Sequence, residues 1–197
     1  MSEESYHYDV LDGINERWPG TEDRLFVSSR AFTPAQSPDE RLYRLTRGYK
    51  RAGDLLVEKA LGNPADQRNL IYPIVFCYRH YIELALKGVI EDHGPVLGIY
   101  HGKDHNLKEL WELFEKICQA HSRGDSDGLA TVAACIHELA EVDSGSFSFR
   151  YARTKKGEPI TLPKDGFDLI TLHDVMNGIE NFFECADLDF SEKGYSQ

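Results

Sequence analysis

Four residues with ionisable side chains lie close together inside the most apolar segment of this chain. They interrupt the run Ile71–Ile90, and residues three and four apart are neighbours on a helix, so they form one polar stripe, made of Arg79, His80, Glu83 and Lys87. A histidine beside an arginine could move protons and stabilise phosphate charge. The candidate catalytic residues are therefore Arg79, His80 and Glu83. Lys87 is a candidate ligand-binding residue.

The same polar stripe has a structural alternative. A helix that is apolar nearly all round is usually buried. Charges on a buried helix must be paired, because desolvating a lone ion carries a large free-energy cost. An internal ion-pair network with acidic partners from Glu138–Asp143 would then hold the helices in register. The sequence leaves both interpretations open.

Outside the polar stripe, His105, Arg150 and Arg153 are further candidate ligand-binding residues. The two arginines belong to the segment Phe147–Lys156, which combines aromatic and basic side chains. Aromatic faces stack on bases, and cations contact phosphates, in single-stranded nucleic-acid binding. In the structural alternative, the aromatic side chains of this segment pack on the protein and its turn is solvated.

Three histidines, His93, His101 and His105, occupy one glycine-containing stretch, where no nearby cysteine completes a four-ligand metal set. The chain also lacks a P-loop, a dinucleotide fingerprint and a serine-nucleophile elbow. We therefore expect neither a bound metal nor a cofactor. A metal-dependent hydrolase built on the three histidines is a third functional alternative.

Apolar side chains at helical spacing dominate the chain and predict an all-α fold. Ser37 followed by Pro38, and Asn106 followed by Glu109, are typical helix starts. Alternating aromatic residues from Ser146 onward predict a small β-hairpin before the last helix. We predict a compact bundle of about five main helices, with three regions. These are an irregular N-terminal arm (1–36), the bundle (37–187) and an acidic C-terminal tail (188–197).

Composition narrows the classes of partner. The chain has 197 residues and a net charge of −11, which argues against broad nonspecific nucleic-acid binding but permits a local basic site. Its four cysteines are widely spaced, as expected for free thiols in a reducing compartment. No segment resembles a membrane span or a secretory signal. We therefore expect a cytoplasmic protein that does not enter a membrane.

The sequence around the polar stripe resembles that of the HEPN family (higher eukaryote and prokaryote nucleotide-binding domains). The segment Phe76–Ile90 is similar to a family helix with an aromatic-x-His-x-x-x-Glu-x-Ala-Leu-Lys pattern. His105-Asn106-Leu107 is similar to the His-Asp-Leu start of the next family helix. The resemblance covers roughly residues 38–186 and implies a compact, often dimeric, helical bundle.

Many HEPN proteins are ribonucleases of toxin–antitoxin or defence systems. Their catalytic signature is an arginine followed, after four to six residues, by a histidine. None of the eight histidines of this chain has an arginine at that spacing upstream. The resemblance therefore implies a divergent site or a binding protein without ribonuclease activity, and enzymatic activity stays open.

The resemblance predicts a protein that associates with RNA or a nucleotide, in a prokaryotic defence or toxin–antitoxin-like context. A homodimer and a cognate antitoxin or other partner protein are the expected assemblies, and Tyr43, Tyr49 and Tyr81 are candidate interface aromatics. The alternative is a non-enzymatic helical interaction or dimerisation module, in which the polar stripe is structural. Whether the polar stripe lines an open cleft or is buried and paired distinguishes the two.

Overall fold

The computed structural model describes residues 34–103, 105–121, 127–162, 166 and 168–194, and residues 35–197 form one compact unit. The described residues contain five α-helices and one short 3-10 turn, Pro95–Leu97. The predicted all-α fold is confirmed. In chain order the helices are α1 (Pro38–Leu61), α2 (Pro64–His93), α3 (Leu107–Ala120), α4 (Asp127–Val142) and α5 (Leu169–Gly194).

The predicted helix starts follow from local side-chain hydrogen bonds. The Ser37 side chain accepts a hydrogen bond from the amide of Glu40 at 3.1 Å and caps α1. The Asn106 side chain likewise accepts from the amide of Lys108 at 3.1 Å and caps α3. Each cap satisfies a backbone donor that the first helical turn leaves unpaired. These two caps determine where α1 and α3 begin.

Helix α2 begins earlier than the sequence predicts. Proline is tolerated in a first helical turn and disfavoured inside a helix, so Pro73 predicts a start between Asp66 and Pro73. Instead, Asn63 caps the helix through its side chain, Pro64 occupies the first turn, and Pro73 lies inside the helix. A strong cap followed by a well-placed proline outweighs the one hydrogen bond that Pro73 removes.

Helix α2 is the centre of the bundle. It packs against α1, α3 and α5, while α4 contacts α3 and α5. Its apolar side chains, with those of α3 and α5, form one continuous core. The fully buried members include Ile74, Tyr78, Ile82, Leu86, Trp111, Phe114 and Phe190. Burial on several sides explains why the sequence of α2 is apolar nearly all round.

The predicted β-hairpin is wrong. Within the described part of residues 144–162 the chain forms turns and one isolated antiparallel bridge, between Arg153 and Pro159. Pro159 has no amide hydrogen to extend a ladder, and Gly157 turns the chain with a φ of 85°. The alternation of aromatic residues therefore lies on a compact irregular segment rather than on strands.

The last helix continues beyond the predicted bundle boundary at residue 187. Helix α5 ends at Gly194, and Phe190 is fully buried against His93 and Phe114. Burying one large aromatic side chain is enough to keep an otherwise acidic stretch packed on the protein. Most of the predicted N-terminal arm, residues 1–33, lies outside the described residues. Among the described helices, none has the length and apolarity to cross a lipid bilayer.

Candidate functional site

Arg79 is completely buried in the middle of α2, with 0 % of its side chain exposed. Its Nη1 donates to Glu83 Oε2, one helical turn away. Its Nη2 donates to the backbone carbonyl of His105, just before α3. Its Nε lies 3.4 Å from both the carbonyl oxygen and Oδ2 of Asp143, just after α4. All three guanidinium nitrogens therefore contact protein oxygens.

Glu83 is the acidic centre of the same cluster. Its Oε1 accepts a hydrogen bond from Lys87 Nζ at 2.9 Å and lies 2.6 Å from His105 Nδ1. Its Oε2 receives the Arg79 guanidinium and lies 3.9 Å from His80 Nδ1. A buried carboxylate is tolerated only when its oxygens are hydrogen-bonded to cations or other donors, and Glu83 meets this condition.

Burial and hydrogen bonding act on the Glu83 carboxyl in opposite directions. Burial alone raises its pKa, because a low-dielectric environment disfavours the charged form. The neighbouring His80 ring and the hydrogen bonds from Lys87, His105 and Arg79 together outweigh burial and hold the pKa of Glu83 well below its ordinary value of 4.5. Glu83 is therefore a permanent anion rather than a proton donor or acceptor near neutral pH.

Asp143 connects this cluster to the segment that follows α4. Its Oδ1 accepts hydrogen bonds from the backbone amides of Phe147 at 2.7 Å and Ser148 at 2.9 Å. Its Oδ2 forms the ion pair with Arg79, although that pair lacks hydrogen-bond geometry. One buried carboxylate thus fixes the position of the irregular segment relative to α2.

The catalytic candidates therefore do not form an open site. Arg79 and Glu83 are buried and paired with each other, which is the arrangement expected of the structural alternative. His80 is partly buried, and Lys87 is largely buried. His105 alone among the five has an exposed side chain, 57 % accessible, at the outer edge of the cluster. We call these five residues and Asp143 the Arg79–Glu83 network.

A second group of predicted residues surrounds Arg150 at the surface. The Arg150 guanidinium carbon lies 5.5 Å from the ring centre of Phe76, 5.4 Å from that of Phe147 and 5.5 Å from that of Tyr151. Lys155 Nζ lies 5.0 Å from the same Phe147 ring. We call these five residues the aromatic–basic patch.

The aromatic–basic patch adjoins the polar stripe through α2. The Phe76 ring stacks on His80 with 5.7 Å between ring centres and 9° between planes. Tyr49 meets both rings edge-on, with 4.4 Å between its ring centre and that of His80 and 6.1 Å to that of Phe76. His80 therefore belongs to a cluster of three rings, and its Nδ1 lies 3.9 Å from Glu83 Oε2. This continuity brings His80 and Arg150 to one region of the molecule, a proximity that the sequence left open.

A surface cavity of about 450 Å³ opens beside the aromatic–basic patch. Its walls include Arg150, Tyr151, Tyr72 and Phe149, so it offers both a cation and aromatic faces. Arg153 does not line the cavity; it is exposed, and its Nη1 donates to the carbonyl of Gly157 at 3.0 Å, so it adds only nearby positive charge. The cavity is large enough for a small ligand or a single base.

A second polar network, which the sequence does not reveal, lies between α1, α2 and α5. Lys50 is buried, and its Nζ donates to Asp54 at 2.9 Å and to the side-chain oxygen of Asn177 at 2.7 Å. Glu180 lies 3.2 Å from the same Nζ, and the Tyr78 hydroxyl donates to Asp54 at 3.0 Å. The i, i+4 spacing of Lys50 and Asp54 was visible, but nothing in the sequence marked that helix face as buried.

The three histidines of the third alternative do not converge. His93 contacts Asp187, His101 contacts Glu91 and His105 contacts Glu83, so each has its own carboxylate. Among the described residues, no group of three or more potential ligands is arranged to hold a metal ion. The hydrolase built on these histidines has no geometric support.

In comparisons with known proteins, no protein-family model, curated protein or solved structure matches the chain. The HEPN resemblance therefore rests on the sequence motifs around the polar stripe. The structural observations that bear on function are the geometry of the Arg79–Glu83 network and that of the aromatic–basic patch.

Proposed function

We propose that this chain is a HEPN-like protein that binds RNA or a nucleotide on its aromatic–basic patch and does not cleave it. The observation that carries the proposal is the contrast between two arginines. Arg150 is an exposed cation among three aromatic rings, whereas Arg79 is fully buried and paired. A buried guanidinium cannot reach a phosphate, so the Arg79–Glu83 network serves as scaffold.

The aromatic–basic patch suits a stacked base with a neighbouring phosphate. Tyr151 is 53 % exposed and Phe147 is partly exposed, so part of each ring is accessible to solvent. Base–aromatic stacking contributes about 1–3 kcal/mol per base. Arg150 donates through Nε to the carbonyl of Ser146, which orients its Nη groups, and a guanidinium can contact two phosphate oxygens at once.

The negative charge of the whole chain limits what this surface can bind. With a net charge of −11, the protein repels an extended polyanion, and attraction is confined to the local cluster of Arg150, Arg153, Lys155 and Lys156. A nucleotide or a short single-stranded stretch fits this local charge better than a long duplex does. We therefore expect weak binding with a shallow dependence on salt concentration.

The wider context belongs to the same proposal. The HEPN resemblance supports a cytoplasmic protein of a prokaryotic defence or toxin–antitoxin-like system, with a cognate antitoxin or other partner protein. It is an inference from sequence motifs alone. The absence of the arginine–histidine cleavage signature and the burial of Arg79 both favour binding over ribonuclease activity.

The alternative of a dimerisation module has its own supporting observation. Tyr43 is exposed on α1, so one of the three candidate interface aromatics is available to a second copy. Tyr81 is not, because only 3 % of it is exposed, and Tyr49 packs on His80. Homodimerisation remains part of the proposal, and light scattering at micromolar concentration tests it.

The binding proposal is tested by fluorescence anisotropy with a labelled single-stranded RNA of about ten nucleotides. Arg150→Ala should weaken binding strongly. Arg51→Ala removes an equal charge from an exposed position on α1, and it should leave binding nearly unchanged. Equal losses in both variants, or no binding by the parent protein, would contradict the proposal. The RNA should also stay intact with and without a chelator.

A further inference from the structure

An open groove lies between α1, α2 and α5, and none of its lining residues belongs to the aromatic–basic patch or to the Arg79–Glu83 network. Its volume is about 240 Å³. The floor is apolar and comes from all three helices, with Leu42, Tyr81, Leu84, Ala85, Val89 and Phe183 among its lining residues. Gly88 leaves free space in the floor. A Cβ built there would have Leu42 Cδ2 as its nearest neighbour, 3.8 Å away.

The rim of this groove is strongly acidic. Among the residues that line it, Arg47 is the one cation, and it pairs with Glu184 at 2.8 Å. Around the rim stand six carboxylates: Asp39, Glu91, Asp92, Glu180, Glu184 and Asp187. Three of the six also have cationic or histidine partners outside the groove, since Glu180 pairs with Lys50, Asp187 with His93 and Glu91 with His101. Negative charge remains in excess.

Asp92 shows that this excess is unfavourable within the protein. Among the described residues, no cation pairs with Asp92 or with Asp39. Partial burial and then the nearby charge of Asp187 raise the pKa of Asp92. His93 acts in the opposite direction, and Asp39 and Glu91 raise the pKa by smaller amounts, so the net shift is upward. Asp92 also lies in the last turn of α2, where the helix dipole disfavours an anion. A cation from outside would relieve this repulsion.

We propose that the groove between α1, α2 and α5 binds a basic amphipathic helix of a partner protein. Apolar side chains of such a helix, spaced three and four residues apart, would fill the floor near Ala85 and Gly88. Its lysines or arginines would meet the carboxylates of the rim. Electrostatic complementarity of this kind speeds association and selects the partner.

Charge distinguishes this occupant from two others. Residues 1–33 of the same chain carry seven acidic side chains and three arginines, so that segment would add repulsion at the rim. A second copy of the chain also carries a net charge of −11, and two acidic grooves facing each other would repel. Because Tyr43 lines the groove, a homodimer through Tyr43 would compete with the basic helix, and the test below includes that outcome. A positively charged helix from a different protein is the occupant that the groove complements.

The probe for this proposal is a fluorescein-labelled amphipathic peptide of about 18 residues, long enough for about 27 Å of helix. Leucines occupy one face and lysines the other, and a control peptide has glutamates in place of the lysines. The intact protein should bind the lysine peptide saturably and should not bind the glutamate peptide. Binding is followed by anisotropy.

Two variants with matched controls locate the binding site. Asp92→Lys and Gly88→Leu should each weaken peptide binding by about tenfold or more, through charge and through filling of the floor. Glu112→Lys on α3 matches the charge change of Asp92→Lys, and Gly178→Leu on α5 matches the size change of Gly88→Leu. Both control positions lie outside the groove, so neither control should alter peptide binding appreciably. Melting curves confirm that the variants are folded.

Three results would overturn the proposal. The first is the lack of saturable binding of the lysine peptide, and the second is an equal loss of peptide affinity in the groove variants and their controls. The third is a homodimer that Gly88→Leu dissociates, because the groove would then be an interface between two copies of this chain. The RNA-binding measurement with Arg150→Ala is independent of all three, because Arg150 does not line the groove.

Discussion

Arg79 and Asp143 form a buried ion pair, 3.4 Å between Nε and Oδ2, that joins the middle of α2 to the end of α4. The same aspartate holds the first amides of the segment that carries Arg150. Arg79, a candidate catalytic residue, therefore acts through Asp143 to position the surface at which we expect ligand to bind. Substitutions in the Arg79–Glu83 network should therefore lower stability directly and should weaken binding only through the position of this segment.

Asp143 separates these two effects. Asp143→Asn keeps an oxygen for the amides of Phe147 and Ser148 but loses the charge that faces Arg79. It should lower the melting temperature while RNA affinity stays near that of the parent. Asp143→Ala loses both interactions and should weaken RNA binding as well as stability. Equal RNA affinities for Asp143→Ala and the parent protein would show that Asp143 does not position the patch.

Acid should weaken the network through Glu83. The pKa of Glu83 is lowered in the folded protein, so its contribution to the free energy of unfolding is fully present above its ordinary value of 4.5. That contribution is lost progressively as pH falls below that value towards the folded pKa. Urea unfolding from about pH 6 to about pH 3 measures it.

Glu83→Gln provides the comparison for this pH dependence. The stability gap between the parent protein and Glu83→Gln should be largest near neutral pH and should narrow below about pH 4.5. Glu112→Gln changes an exposed glutamate of α3 in the same way and should show a small gap at every pH. A gap for Glu83→Gln that does not change with pH would contradict the ionised, paired state of Glu83.

Gly53 and Gly48 give a matched pair of substitutions on α1. A Cβ at Gly53 would lie 2.5 Å from Tyr78 Cε1, and Tyr78 is fully buried and hydrogen-bonded to Asp54. Gly53→Ala should therefore destabilise the protein by about 1–3 kcal/mol through overpacking. At Gly48 a Cβ would meet nothing within 4 Å. Gly48→Ala should stabilise by about 0.5–1 kcal/mol, as expected in a helix.

Thermal unfolding of the two alanine variants checks this prediction. Shifts of the same sign would mean that α1 and α2 approach each other less closely than the contact between Gly53 and Tyr78 requires. The Lys50 network depends on the same approach, because Asp54 accepts from both Lys50 and Tyr78.

Local signals in the sequence predicted much of the fold. The caps at Ser37 and Asn106 and the apolar periodicity depend on neighbours along the chain, and both are confirmed. The hairpin was wrong because alternation of aromatic residues does not report backbone pairing, and Pro159 and Gly157 favour a turn. The length of α5 depended on the burial of Phe190 by distant residues.

The candidate site shows the same limit. The i, i+4 spacing indicated that Arg79 and Glu83 would meet, and the acidic stretch that includes Asp143 was a predicted partner. The spacing could not show that the guanidinium of Arg79 would also contact the carbonyl of His105 and the residue that follows α4. Burial of this kind is a tertiary property, and it decides between a catalytic and a structural arginine. Lys50 was missed for the same reason.

The melting temperature of Arg79→Ala tests the central claim most directly, because the claim is that Arg79 supports the fold rather than a reaction. Removing it strands the buried carboxylates of Glu83 and Asp143, which should cost about 3–5 kcal/mol and lower the midpoint by on the order of ten degrees. The exposed control Arg51→Ala should shift it by no more than about one or two degrees. An unchanged midpoint for Arg79→Ala together with lost RNA binding would contradict the account.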